Sequence, residues 1–308
     1  MKGLFISLTL FVTFTFNAQE HEFISKPVAI TSLIDGTLMT PTDTEELPLA
    51  IIISDAGLTD RNGNQNFQKN NILKKLAEGL AQNNIASFRY DKRTIKQIRR
   101  SSVDQDISFD DFVLDAISVV NYFKEHHSFS KVIIIGHGQG SLIGMLASNS
   151  GVDSYISLAG SGKPIDQVIL DQVAQMDSSL VKGAESAFKE LKSGNIAKNY
   201  PQALGSVFSL DIQPFMRSWM KYHPEQKIKE LDIPILIVSG TKDLQVPVSE
   251  AQMLHENAKN STLEIIENMN HVLFIIEGKT LENSKSYNES FRPISKTLLH
   301  IVSSFINN

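Results

Sequence analysis

The chain has no cysteine in its 308 residues. That excludes disulfides, thiolate catalysis and cysteine-held metals together. It also lacks a large excess of either charge. Its formal net charge is -5 and its isoelectric point near 5.9, so no broad basic surface exists and nucleic acid is not expected as a partner. The basic run Lys92, Arg93, Lys96, Arg99 and Arg100 reads as a solvated helix or loop face. The eight histidines show no H-x-x-x-H or similar ligand spacing, so neither a metal site nor a cofactor is expected. No apolar run reaches the roughly 20 residues of a comfortable membrane span. The nearest approach is Leu4 to Phe16, preceded by Lys2 and followed by Gln19 and Glu20. Residues 1–18 therefore read as a secretory signal peptide cleaved after Ala18, which implies a secreted or periplasmic bacterial protein with no stable membrane insertion afterwards.

What remains is ample for one globular domain, with 42% hydrophobic and 20% charged residues. Residues 23–39 alternate apolar and polar around Asp35-Gly36, the pattern of a β-hairpin turning at that pair. Pro48 to Ser54 is a continuous apolar run suited to a buried strand. Apolar residues at 72, 73, 76, 77 and 80 mark an amphipathic helix. Ile85 to Tyr90 reads as a strand, and 107–123 as a second amphipathic helix. Further strands are expected at 131–136, 155–159, 234–240 and 262–266, with a closing helix at 294–305. Strands alternating with helices predict an α/β fold with a mostly parallel central sheet covered on both faces.

Between the strands at 155–159 and 234–240 lies a stretch far longer than an ordinary connection, rich in helix formers and carrying Phe188, Phe208, Phe215 and Trp219. It is expected to form a helical cap insertion over the site, at about 161–223.

The chemistry-bearing stretch is Lys131 to Leu146, KVIIIGHGQGSLIGML. A β-branched run stops at a glycine-dense corner and an apolar helix begins, which is strand, tight turn and helix. The corner resembles the nucleophile elbow G-x-S-x-G of α/β-hydrolases, whose serine stands above the end of the sheet. Here Gly136, His137, Gly138, Gln139 and Gly140 fill the five places, so a glycine stands at the nucleophile position. A dinucleotide fingerprint is excluded, because the third glycine of G-x-G-x-x-G is replaced by Ser141.

Asp243 lies in G-T-K-D-L-Q-V-P directly after one strand. His271 lies in E-N-M-N-H-V after the last. Their order after the elbow is that of acid and histidine in a serine triad. With T-D-R-N-G-N at Thr59 to Asn64 and F-R-Y-D-K-R at Phe88 to Arg93, these segments make the chain resemble secreted bacterial carboxylesterases of the serine-aminopeptidase-like group over nearly all of its expected mature length. The resemblance implies hydrolysis of a small carboxylic ester or related apolar molecule without a cofactor. It puts the acid on Asp243, the histidine on His271, and the oxyanion-hole donors on the backbone of Ala56 and Gln139. Where such proteins usually carry a glycine-x-glycine-proline loop, this one has Asp55, Ala56, Gly57 and Leu58. A carboxylate at Asp55 facing the pocket would repel the charge that an oxyanion hole stabilises.

Two functions are compatible with this pattern. One is an ester hydrolase with weak or absent activity, in which His271 activates water in the space left by the missing hydroxyl. The other is an inactive pseudo-hydrolase that binds a small molecule or a protein. Ser141 is not expected to substitute as nucleophile, because it falls one helical turn beyond the corner.

Overall fold

A computed structural model describes residues 22–308 apart from 43–45, 103, 105, 127 and 128. The expected signal segment 1–18 lies outside the described residues. Eight strands form one sheet: β1 (Phe23–Ala29), β2 (Asp35–Pro41), β3 (Leu49–Ile53), β4 (Ala86–Tyr90), β5 (Val132–His137), β6 (Ser154–Leu158), β7 (Ile235–Gly240) and β8 (Ser261–Ile266). Their spatial order is β1-β2-β4-β3-β5-β6-β7-β8. The β1/β2 hairpin and its junction with β4 are antiparallel, and every later pairing is parallel.

The hairpin forms, but its turn lies earlier than Asp35-Gly36. The N–H of Ile30 donates to the Ile34 carbonyl, and the Thr31 hydroxyl accepts from the N–H groups of Leu33 and Ile34. Asp35 and Gly36 are already paired in β2. Gly36 is needed for packing instead, since a Cβ there would overlap the Arg89 carbonyl and the Phe88 ring.

The helices follow as α1 (Ile72–Ala81), α2 (Arg93–Arg99), α3 (Phe109–His126), α4 (Gln139–Ala147), α5 (Ile165–Met176), α6 (Val181–Lys192), α7 (Gly205–Phe208), α8 (Gln213–Trp219), α9 (Pro224–Lys227), α10 (Val248–Asn257), α11 (Thr280–Ser286) and α12 (Lys296–Asn307). Residues 49–53, 132–137 and 235–240 are buried throughout, as strands covered on both faces must be. Alternate side chains enter two cores. Ile51, Ile53 and Ile134 pack with Phe109, Phe123 and Val120 of α3. Ile52, Ile133 and Ile135 pack with Leu76 and Leu80 of α1 and Leu298 and Val302 of α12.

Helices α5 to α8 fill the insertion and have a third core of their own, containing Val173, Ala184, Phe188, Leu191, Phe208 and Met216. The Phe188 and Phe208 rings meet edge to face at 4.7 Å inside it. Phe215 and Trp219 turn the other way, onto Phe109 of α3. The Phe109 N–H donates to the Ser218 hydroxyl at 2.7 Å and ties the insertion to the sheet layer.

From β3 the chain moves to β4 on one side, and then returns to β5 on the other. The carboxyl ends of β3 and β5 therefore flank a crevice at the point where the strand order reverses, the usual site position in open α/β sheets. Asp55 follows β3, and Gly138 follows β5.

Candidate active site

The elbow forms as expected. Gly138 has φ +54° and ψ -117°, a conformation that strains any residue with a Cβ. Its neighbours permit the backbone to close: a Cβ at Gly136 would overlap the Gly140 carbonyl, and one at Gly140 would overlap the carbonyls of Ile53 and Ser54. Helix α4 thus starts directly against the end of β3.

Asp243 and His271 come together from the ends of β7 and β8. A Cβ at Gly240 would overlap the Met269 carbonyl, so glycine there lets the two strand ends approach. Asn270 pins the histidine loop, accepting from the Phe274 N–H and donating to Asn283 and Ser286. Asp243 Oδ1 accepts from the N–H groups of Gln245 and Val246, and its Oδ2 lies 2.8 Å from His271 Nδ1.

The space left by the missing serine is not open. Asp55 fills it. Its Oδ2 stands 3.1 Å from His271 Nε2, and its Oδ1 accepts from the Gln139 N–H at 2.8 Å. A Cβ at Gly138 would overlap Asp55 Oδ1, well inside the 3.0 Å that real Cβ contacts respect. Gly138 and Asp55 are therefore one feature: the carboxylate occupies the place that a side chain at position 138 would need. This corrects two expectations. Water has no vacant hydroxyl site beside His271, and the N–H of Gln139, one of the two expected oxyanion donors, is already engaged by a carboxylate. Ala56 lines the same cavity.

The array Asp55, His271 and Asp243 is electrostatically tight. Burial would lower the basicity of His271, but the Asp243 charge and hydrogen bond, with those of Asp55, push its pKa up to about 10. Burial would raise Asp55, yet the hydrogen bond and charge of His271, aided by the Gln139 N–H, hold its carboxyl well below the usual range. The carboxyl groups flanking His271 thus favour its protonated form, which has no free nitrogen to accept a proton.

His137 lies beneath, with Nε2 donating to the His271 carbonyl at 2.8 Å. Its burial and the His271 charge hold its pKa down. Donor atoms of Asp55, His137 and His271 all lie within 4.8 Å of one another, close enough for a metal ion to be considered. Both nitrogens of His271 already face carboxylates, however, and the three groups satisfy one another as they stand. Sequence spacing could not reveal this cluster, since its members come from three different strand ends.

The basic run is solvated only at its end, where Arg99 and Arg100 are exposed. Lys92 is buried at 3% exposure, donating to the Asp55 carbonyl and to Gln139 Oε1. Burial lowers its pKa to about 8. Arg93 pairs with Asp111 and Asp115, Lys96 with Asp35, and Arg99 with Asp91. Arg61 of the T-D-R segment joins Asp35 and Asp91. The two motifs that carried the resemblance thus brace each other and the loop bearing Asp55. Ser141 points into the interior, bonded to Tyr155 and Ser157.

Above the array is a cavity of about 270 Å³. Leu142 and Val246 line it together with Ile165, Val168 and Trp219 of the insertion. Of the four aromatics singled out in the insertion, Trp219 is the one that lines this cavity.

No family model matches the chain. It is similar to the esterase EstD of Thermotoga maritima, with 24% identity over 270 residues covering 84% of this chain; the chain spans 62% of that relative's length. Est1E from Butyrivibrio proteoclasticus superposes with a TM-score of 0.55 at 18% identity, over 92% of this chain and 95% of that one. It is also solved with ferulic acid bound. The Pyrococcus furiosus esterase Pf2001 follows, at a TM-score of 0.54 and 12% identity, covering 96% and 94%. This chain has the α/β-hydrolase fold. In this α/β-hydrolase the elbow turn forms at Gly138 and His271 meets Asp243, while Asp55, which the sequence marked as a carboxylate that would oppose an oxyanion, comes to face His271. Among the described residues no helix is long and apolar enough to cross a membrane.

Proposed function

We propose that this α/β-hydrolase takes a small, largely apolar carboxylic ester or related molecule into the cavity between sheet and cap, and that it turns over ordinary carboxylic esters only weakly. The carrying observation is the overlap between a Cβ at Gly138 and Asp55 Oδ1. Acyl transfer needs a nucleophile beside His271 and free donors for the developing oxyanion. Here the nucleophile's place and the Gln139 N–H are both held by an anion. The relationship to EstD and the apolar walls of the cavity support the substrate class. The Asp243–His271 bond supports a site that still has catalytic geometry, rather than a filled pocket serving only binding. Asp243 would orient His271 and hold its charge.

The assay is hydrolysis of p-nitrophenyl butyrate by the purified chain beside His271→Ala. A slow rate that disappears in the variant supports the reading. A rate typical of serine esterases, or one indifferent to His271, overturns it. Export is part of the same proposal, resting on residues 1–18. Amino-terminal sequencing of the protein recovered from a bacterial periplasm or medium should begin at Gln19, and an intact Met1 in the cytoplasm would refute it.

A further inference from the structure

Asp55, His137 and His271 arrive from three strand ends and offer one carboxylate and two imidazoles. That donor set suits a divalent first-row transition ion, which takes imidazole nitrogen and carboxylate oxygen together. A donor atom from each residue lies within 4.8 Å of the others, and Asp55 Oδ2 stands 3.1 Å from His271 Nε2. Ligands bonded at about 2.0–2.2 Å stand roughly 3–4 Å from one another, so a movement of about 1 Å closes the set.

Each of the three is also held from behind. Metal-bound histidines donate their other ring N–H to a carboxylate or a carbonyl, and metal-bound carboxylates are themselves hydrogen-bonded. Here His271 Nδ1 meets Asp243 Oδ2 at 2.8 Å, His137 Nε2 donates to the His271 carbonyl, and Asp55 Oδ1 accepts from the Gln139 N–H. With those atoms engaged, His271 Nε2, His137 Nδ1 and Asp55 Oδ2 are the ligand atoms. The ester reading gives buried His137 no task; this arrangement does.

We infer that Asp55, His137 and His271 form a binding site for a divalent transition-metal ion of the zinc type, supported from outside by Asp243 and Gln139. The three groups hydrogen-bond one another as they stand, and the ion enters by displacing a single proton, the one His271 Nε2 gives to Asp55 Oδ2. Two cavities meet there. A polar one of about 260 Å³ is lined by all three ligands with Gln65, Gln68 and Asn70, and the apolar one is lined by Asp55 and His271. Three protein ligands leave a further position for water, as in catalytic zinc sites.

The site stands on its own geometry, while the ion's task rests on the ester reading: it supplies the nucleophile that the elbow lacks. Water on such an ion ionises at about pH 7. The water oxygen bonds to the ester carbonyl carbon as the C=O π pair moves onto oxygen. That pair returns as the bond to the alcohol oxygen breaks, and the alkoxide takes up the proton that the water released to solvent. Ester plus water gives acid plus alcohol, with no change of oxidation state.

The test uses the full chain without an affinity tag, stripped with chelator and dialysed against zinc chloride. One zinc per chain is expected, with X-ray absorption showing two imidazole nitrogens on the ion. His137→Gln and Asp55→Asn should each weaken binding by about 100-fold or more, and Asp243→Asn by about 10–100-fold at the same stoichiometry. If a variant does not fold, the absorption spectrum of the unaltered chain decides alone. Absence of stoichiometric zinc, or zinc held equally well by His137→Gln and Asp55→Asn, overturns the site. Hydrolysis of p-nitrophenyl butyrate separates the site from the ester reading, since zinc should raise the stripped chain's rate by about 10-fold or more. Bound zinc with an unchanged, His271-dependent rate overturns the ion's task. Bound zinc with no hydrolysis overturns the ester reading and leaves the site, and His271-dependent hydrolysis without zinc binding does the reverse.

Discussion

The two halves of the site are built differently. In the acid and histidine half, Asp243 caps the turn after β7, His271 follows β8, and the close approach of Gly240 to Met269 accompanies their 2.8 Å contact. The nucleophile half keeps its backbone but not its chemistry. The elbow retains its strained turn at Gly138, while the functional group over it arrives from Asp55, whose carboxylate meets the N–H of Gln139 across 84 positions of chain. An elbow is thus a backbone device first. It offers an N–H and a protected seat, and the residue that occupies the seat need not belong to the elbow.

The sharpest way to break this comparison is to reverse the exchange. Gly138→Ser alone should gain nothing on p-nitrophenyl butyrate and should melt earlier, because its Cβ overlaps Asp55 Oδ1. Overpacking of that kind costs about 1–3 kcal/mol. Asp55→Gly combined with Gly138→Ser should gain on the order of 10³-fold over the single variant. Equal gain from Gly138→Ser alone would show that the two positions are not one feature.

Next in size is His271→Ala, which leaves the carboxylates of Asp55 and Asp243 facing each other without the cation between them. A loss of about 3–5 kcal/mol is expected in urea unfolding. A loss smaller than about 1 kcal/mol would mean that the ion-paired ground state is not what holds the halves together.

The pH dependence of the melting temperature sharpens the same point. His271 is raised from 6.5 to about 10, so its stabilisation is complete below pH 6.5 and is lost as pH climbs toward about 10. Asp55 is lowered from 3.8, so its contribution is present above that value and lost on acidification below it. The array therefore favours the folded state most between those limits, and Asp55→Asn should flatten the alkaline decline. An unchanged decline would place the linkage elsewhere.

The smallest effect is expected from the cap. Trp219→Ala removes one wall of the cavity while leaving the array untouched. KM should rise by about 10-fold with kcat little altered, the pattern of lost uniform binding. A matching fall in kcat would tie the cap to the reacting atoms.

Sequence alone was sufficient for whatever depends on local periodicity. The β-branched runs at 49–53 and 132–137, the helical spacing at 72–80 and the glycine corner at 136–140 each carry their own signal, and together with the order of Asp243 and His271 they specify the fold and half of the site. The hairpin was legible while its turn was not. Asp35-Gly36 is a strong turn pair, yet the Thr31 hydroxyl makes the turn earlier, and packing against Arg89 and Phe88 claims the glycine. Lys92 read as surface because charge is normally solvated; only its three-dimensional neighbours, the Asp55 carbonyl and Gln139 Oε1, make a buried ammonium tolerable. The loop marked Asp55 as a carboxylate that would oppose an oxyanion, but not the partners that hold it. Its role is set by the crevice where the strand order reverses, because only there do the ends of β3 and β5 bring a carboxylate, a backbone N–H and a glycine without a Cβ into the same few ångströms.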